Sequence, residues 1–170
     1  MIITIILDEQ SKTYFNELRT KHFPAELNYL DAHLTLFHNV PDEGWVHKIL
    51  SESSKFPGFE MQISGLMHTG FGVAYKIESP ELIALHKNLS ENFKDVLIPQ
   101  DRQKFRPHIT VQNKVSAVES KALHKQLTST FTPSTITALG VSCYRYLNGP
   151  WEPLADFHFT GTGGLIQQPK

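Results

Sequence analysis

The stretch KFRPHITV, Lys104 to Val111, alternates in a way that an ordinary buried strand does not. In an extended chain Ile109 and Val111 point to one face, while Arg106, His108 and Thr110 point to the other. One face is apolar; the other carries a cation, an imidazole and a hydroxyl in a row. A second copy lies upstream in DAHLTLFH, Asp31 to His38, where His33 and Thr35 alternate with Leu34 and Leu36 in the same phase.

The surrounding pattern repeats as well. Strands are expected at Ile2–Leu7, His33–Phe37 and Arg106–Gln112. Phe59–Leu66 and Gly70–Glu78 read as a hairpin, its second strand bearing Phe71, Val73, Tyr75 and Ile77 in alternation. A final pair, Ser134–Leu147 and Trp151–Phe159, turns at Asn148-Gly149-Pro150. Helices are expected at Gln10–His22, with Tyr14, Phe15 and Leu18 inward, and at Asp42–Glu52 after a Pro41-Asp42 start. Two more are Pro80–Phe93, with Leu82, Leu85, Leu89 and Phe93 on one face, and Ser116–Thr128, opened by a Ser116/Glu119 capping box. A constant offset of 75 residues carries His33 to His108, Thr35 to Thr110, Val40 to Val115, Phe56 to Phe131 and Gly65 to Gly140. Few other residues match, so the duplication is architectural. The expected fold is α+β and bilobal: two pseudo-symmetric lobes, roughly 1–78 and 79–160, with antiparallel sheets flanked by helices around a central groove. The polar strand faces would meet across that groove. Residues 161–170, a polar tail rich in glycine, are expected to be flexible.

Composition bounds the class. The chain has 170 residues, 40% apolar and 19% charged, enough for one domain with a real core. One cysteine, Cys143, excludes an internal disulfide framework and suits a cytoplasmic protein. MIITIIL lacks a basic leader and is too short for a membrane span, so it reads as a buried first strand. A formal charge of −1 argues against non-specific coating of nucleic acid, though not against a local anion site. Nothing calls for an obligate protein partner, and a monomer is expected.

Two facing histidines and two hydroxyls suit acid–base chemistry on a phosphate. One imidazole can take a proton from the nucleophile while the other gives one to the leaving oxygen. Threonine hydroxyls can donate to the non-bridging oxygens, where charge builds in the transition state. A single His-x-Thr is a weak signal among nine histidines. A third, His158-Phe159-Thr160, has Ile83 and Leu85 at the equivalent positions and reads as coincidence. A metal site is the chemical rival, but there is no His-x-x-x-His and no cysteine pair. GTGG in the tail has no strand before it or helix after it, so it is no phosphate loop. A module that binds a nucleotide without turnover is the other class; two proton-transfer groups are more than binding needs.

HLTL and FRPHITV resemble the paired motifs of the two-histidine phosphoesterase superfamily, which includes bacterial 2′-5′ RNA ligase-like proteins and RNA 2′,3′-cyclic phosphodiesterases. The resemblance covers both motifs, their separation and the duplicated helix–strand order. It implies a metal-independent, cofactor-free cyclic phosphodiesterase acting on a 2′,3′-cyclic phosphate of a nucleotide or RNA terminus, with 2′-5′ RNA ligation less favoured. It assigns His33 as proton donor and His108 as acceptor; the residues alone do not fix that order. An arginine soon after the second motif is common in the family. Here QNK stands there, with Lys114 the nearest cation, which favours a small nucleotide or an RNA end over long RNA.

Further residues can take part. Arg106 shares the His108 face and can steer a phosphate, or form a surface ion pair. Phe37 and Gln112 follow two residues after Thr35 and Thr110 and can line the groove or pack in the core. Tyr75, Tyr144, Tyr146 and Trp151 can stack a base or form cross-strand pairs. His38, His47, His68, His86 and His124 show no constellation and are expected to be exposed.

Overall fold

The computed structural model describes residues 1–161. The tail expected from residue 161 therefore lies outside the described residues, save Gly161, whose N–H donates to the Phe56 carbonyl at 3.1 Å. The strands are β1 (Ile2–Leu7), β2 (Leu34–Phe37), β3 (Phe59–His68), β4 (Val73–Glu78), β5 (His108–Gln112), β6 (Ser134–Tyr146) and β7 (Trp151–His158). The helices are α1 (Glu9–His22), α2 (Gly44–Ser53), α3 (Pro80–Phe93) and α4 (Ala117–Ser129). The chain is α+β, as the alternating patterns predict, with all strand pairs antiparallel.

The strands form one seven-stranded sheet in the order β2-β1-β6-β3-β4-β5, with β7 also paired to β6. This order mirrors itself about the β6–β3 pair. One repeat is β1-α1-β2-α2-β3 and the other β4-α3-β5-α4-β6, and each gives its last strand to the other. Each side of the sheet therefore combines strands from both repeats. The long β6 makes the junction: Ser134–Ala138 pairs with β3, and Ala138–Tyr144 pairs with β1. Bulges interrupt several ladders, including β1–β2 and β4–β5, and sharpen the twist. The two ends of the path, β2 and β5, come back into contact. That return positions the site.

Helix faces follow the sequence with two shifts. Leu82, Leu85, Leu89 and Phe93 are all buried along α3, which opens on Ser79 as N-cap and Pro80. The Ser116/Glu119 capping box opens α4. In α1 the buried residues are Ser11, Phe15 and Arg19, so the inward face is centred one position from Tyr14, which is 47% exposed. Helix α2 starts at Gly44 and not at Asp42, because its N-cap Glu43 is extended, at φ −131° and ψ 150°. Phe71 falls in the turn before β4, beside Gly70 at φ 90°, and is 63% exposed, whereas Val73, Tyr75 and Ile77 are buried. Among the described residues no helix is long and apolar enough to cross a membrane.

Asp8 ties α1 to the sheet. Its carboxylate accepts from the Ser11 N–H at 2.9 Å, the Ser11 hydroxyl at 2.6 Å and the Thr137 N–H of β6 at 2.8 Å. Desolvation by burial pushes the Asp8 pKa up, but these donors outweigh it and hold it below the usual value. Asp8→Ala should therefore cost about 1–2 kcal/mol in urea unfolding at neutral pH. A carboxylate with a lowered folded pKa stabilises above its unfolded pKa, and that contribution disappears as pH falls through the folded value. The gap between wild type and Asp8→Ala should thus shrink below about pH 4; a gap that does not change with pH would mean that the charge of the carboxylate contributes nothing.

Candidate active site

The two motifs are built alike. On β5, Ile109 and Val111 are fully buried, which leaves His108 and Thr110 half-exposed on the opposite face. At and just before β2, Leu34 and Leu36 are buried, and His33 and Thr35 take the half-exposed positions. Because β2 and β5 return to each other, His33, Thr35, His108 and Thr110 line one cavity of about 350 Å³.

Each imidazole is held in the same way. His33 Nδ1 lies 2.7 Å from the Asp31 carbonyl, and His108 Nδ1 lies 2.7 Å from the Arg106 carbonyl. A carbonyl can only accept, so each Nδ1 carries a hydrogen and donates it. Each Nε2 is then the nitrogen free for chemistry, a base when the ring is neutral and an acid when it is charged. Burial pushes His33 down to about 4, against the Asp31 hydrogen bond, with Arg19, His108 and His38 lowering it further. Burial thus favours the neutral form of His33.

The other expected residues divide. Arg106 is exposed and lines the same cavity. Trp151 lies 4.5 Å from the His33 ring between centroids. With Tyr144 and Tyr29 it lines an adjoining cavity of about 460 Å³ that also reaches His33. Phe37 is in the core: it is fully buried, stacked on His86 at 4.8 Å and edge-on to Phe93 at 5.5 Å. The α3 helix covers that end of β2 and closes the groove before Phe37. Gln112 is buried, with no partner for its Oε1 among the described residues. Tyr75 is buried edge-on to Phe15 at 5.4 Å, and its phenol pKa is raised by burial and by a hydrogen bond with Tyr14. Tyr146 is 59% exposed near the β6–β7 turn. His158 is exposed across from Gly140, at the far end of β7 from Trp151.

The remaining histidines are less uniform than expected. His86 lines the same cavity as His33 and His108, sandwiched between Phe37 and Phe105, the latter at 3.8 Å and nearly parallel. Burial pushes it down to about 4. His38 is exposed but paired: its Nδ1 lies 2.7 Å from the buried Asp101 carboxylate, which also accepts from the His38 and Asn39 N–H groups. His68 contacts Ser120 at 2.8 Å, His47 contacts Asp42 at 2.8 Å, and His124 sits half-buried beside His68. Among the described residues no three histidine, cysteine or carboxylate side chains cluster as a metal site.

Arg19 is a part of the site that the motifs did not reveal. It is 4% exposed, and its Nε donates to Asn28 Oδ1 at 3.1 Å and to the Leu30 carbonyl at 3.2 Å. Its Nη1 donates to the Thr110 carbonyl at 3.0 Å. One guanidinium thus ties the loop leading to His33 to the strand bearing His108. The only sequence signal is its place four residues after Phe15, on the buried face of α1.

A family model described as the 2′-5′ RNA ligase superfamily matches residues 7–150. No curated protein matches the chain. Among solved structures, TT0787 of Thermus thermophilus superposes with a TM-score of 0.66 at 18% identity, over 96% of this chain and all of that one. E. coli LigT complexed with 3′-AMP gives 0.58 at 22% identity, over 94% of this chain and 97% of that one. LigT complexed with NADP+ gives 0.55 at 21% identity, over 93% and 96%. At such low identities these likenesses speak for the fold alone.

The contact of Trp151 with His33 supplies an optical probe. A histidinium quenches a nearby indole, so Trp151 fluorescence, read in a Trp45→Phe background, should fall as pH drops through about 4. His33→Ala should remove that step. A midpoint near the ordinary histidine value would mean that burial does not depress His33.

Proposed function

The chain belongs to the 2′-5′ RNA ligase superfamily, and from that membership we propose that it hydrolyses a 2′,3′-cyclic phosphate of a nucleotide or RNA end by metal-independent acid–base catalysis. The observation that carries this reading is the pair of imidazoles in one cavity, each with Nδ1 engaged by a backbone carbonyl and Nε2 left free. His108 takes a proton from water as its oxygen attacks phosphorus. The bond from phosphorus to one ribose oxygen breaks, and His33 gives that oxygen its proton. A phosphomonoester and a free ribose hydroxyl result. Thr35 and Thr110 donate to the non-bridging oxygens, and Arg106 stands at the rim as a steering cation. Trp151, over His33, offers a face for the base or sugar. If a 5′-hydroxyl replaced the attacking water, the same proton transfers would form a 2′-5′ linkage.

The depressed His33 bears on the order of roles. To act as acid at neutral pH it must regain a proton against the burial that lowers it. A phosphodiester anion held beside the ring favours the charged form, so a bound substrate works in that direction. Burial favours the neutral ring, and a bound phosphate anion favours the charged one.

With a panel of 2′,3′-cyclic nucleotides followed by phosphorus NMR, turnover should persist in excess chelator. His33→Ala and His108→Ala should each lower kcat about 10²–10⁴-fold, while His158→Ala should change little. Loss of activity in chelator with recovery on one divalent ion would overturn the metal-free mechanism. No turnover at all, with tight nucleotide binding, would favour a binding module. The residual kcat/KM of His108→Ala then assigns the roles. If His33 must carry the proton, it falls as pH rises past about 4. A residual rate that instead rises through that value would make His33 the base.

A further inference from the structure

Thr35 is the first member of a polar row. The strand register sets it opposite Thr4 of β1, Thr4 opposite Ser142 of β6, and Ser142 opposite Asp156 of β7. Directly opposed residues share a face, so the row runs outward from the proposed phosphate site across four strands. Three strand spacings separate its ends, about 14 Å, which is about the length of one nucleotide laid across the sheet. Thr4, Ser142 and Asp156 line the cavity of about 460 Å³ that reaches His33. The walls of that cavity are aromatic. Trp151 lies 4.5 Å from the His33 ring and 5.6 Å from Tyr144. Tyr29 meets the tip of the β6–β7 hairpin, where a Cβ on Gly149 would lie 3.3 Å from its hydroxyl.

Asp156 is the member of the row that the phosphate chemistry does not use. Ser142 Oγ donates to its Oδ1 at 2.5 Å and so fixes the carboxylate. A carboxylate accepts about four hydrogen bonds, and one hydroxyl leaves most of that capacity open. Among the described residues Asp156 makes no ion pair. The other carboxylate of the lining, Asp31, is already paired with Lys12 at 3.0 Å. An uncommitted carboxylate thus stands one nucleotide's length from an anion site, beside aromatic walls. It repels a further phosphate and calls for donors.

We propose that this cavity selects guanine, with Asp156 accepting from the N1–H and the N2 amino group of the base. Guanine sets two donors side by side on one edge, which a carboxylate can accept as a pair. Adenine and cytosine offer an amino group beside a ring nitrogen that itself accepts, and uracil offers one N–H between two carbonyls. Each of these would set a lone pair against the carboxylate. Lys12 lines the same cavity and keeps donors beyond its pair with Asp31, so it can meet O6. Stacking on Trp151 or Tyr144 suits any base, which leaves the choice to Asp156. The place of the phosphate rests on the phosphoesterase reading; the identity of the base is the addition.

The test measures kcat/KM for the 2′,3′-cyclic phosphates of guanosine, adenosine, cytidine and uridine. Calorimetric binding of guanosine and adenosine 3′-monophosphates is measured beside it, because binding needs no turnover. Guanosine should be preferred by about 10–100-fold in both, the worth of hydrogen bonds to a charged group. The inosine compound, which lacks the N2 amino group, should fall in between. Asp156→Asn keeps an acceptor for Ser142 and puts an amide donor in place of the second oxygen. It should lose the preference for guanosine and gain one for xanthosine, whose C2 carbonyl accepts from that amide. Hydrolysis of all four compounds at similar kcat/KM would overturn the guanine site and leave the catalytic reading intact. Guanosine-selective binding without hydrolysis of any compound would do the reverse. A guanosine preference that survives Asp156→Asn would overturn the assignment to Asp156. Loss of that preference with no gain for xanthosine would mark a merely structural effect and overturn it too.

Discussion

Leu34, Leu36, Ile109 and Val111 are all buried, and their burial decides where the chemistry can sit. Each is worth about 1.5–3 kcal/mol inside rather than outside. Slipping both strands by one residue would expose all four, at a cost of about 6–12 kcal/mol, comparable with the whole stability of a domain. The register is therefore not free. With the aliphatic side chains inward, His33, Thr35, His108 and Thr110 have to face the other way. The two ends of the sheet's strand path, β2 and β5, are in contact. Packing alone thus brings two distant motifs into one cavity.

Within that cavity the main chain sets proton chemistry. The carbonyl two residues before each histidine takes its Nδ1 hydrogen, so both rings are held in one tautomer and one orientation without any carboxylate. Symmetry ends there, because His33 lies under Trp151 and near Arg19 and is driven toward its neutral form. In the proposed mechanism an entering phosphate anion favours the charged ring.

Most of the architecture was legible because it depends on periodicity. Alternation marked both polar strands, the leucine face of α3 and the capping box of α4 appear where expected, and the 75-residue offset exposed the duplication. Pairing was less legible. An offset shows that units repeat, and says nothing of which strand each lends to the other. Residues two positions beyond the motifs misled for a similar reason: Phe37 keeps the alternation of His33 and Thr35, but α3 covers it, and Gln112 is likewise buried. Arg19, Asp101 and His86 left no local mark. Arg19 reaches a carbonyl 91 residues along the chain, and Asp101 binds an N–H 63 residues back. His86 owes its place to two rings, Phe37 and Phe105, that only the whole fold brings to either side of it.

The central claim is that His33 and His108 act as one unit on one phosphate. The measurement that tests it most directly is a double-mutant cycle on kcat for a 2′,3′-cyclic nucleotide, with His33→Ala, His108→Ala and the combined variant. Groups that serve the two ends of a single displacement are strongly non-additive. The combined variant should therefore be about as slow as the slower single variant. Losses that multiply, so that the double variant falls by the product of the two singles, would show that the histidines work independently and would contradict the account.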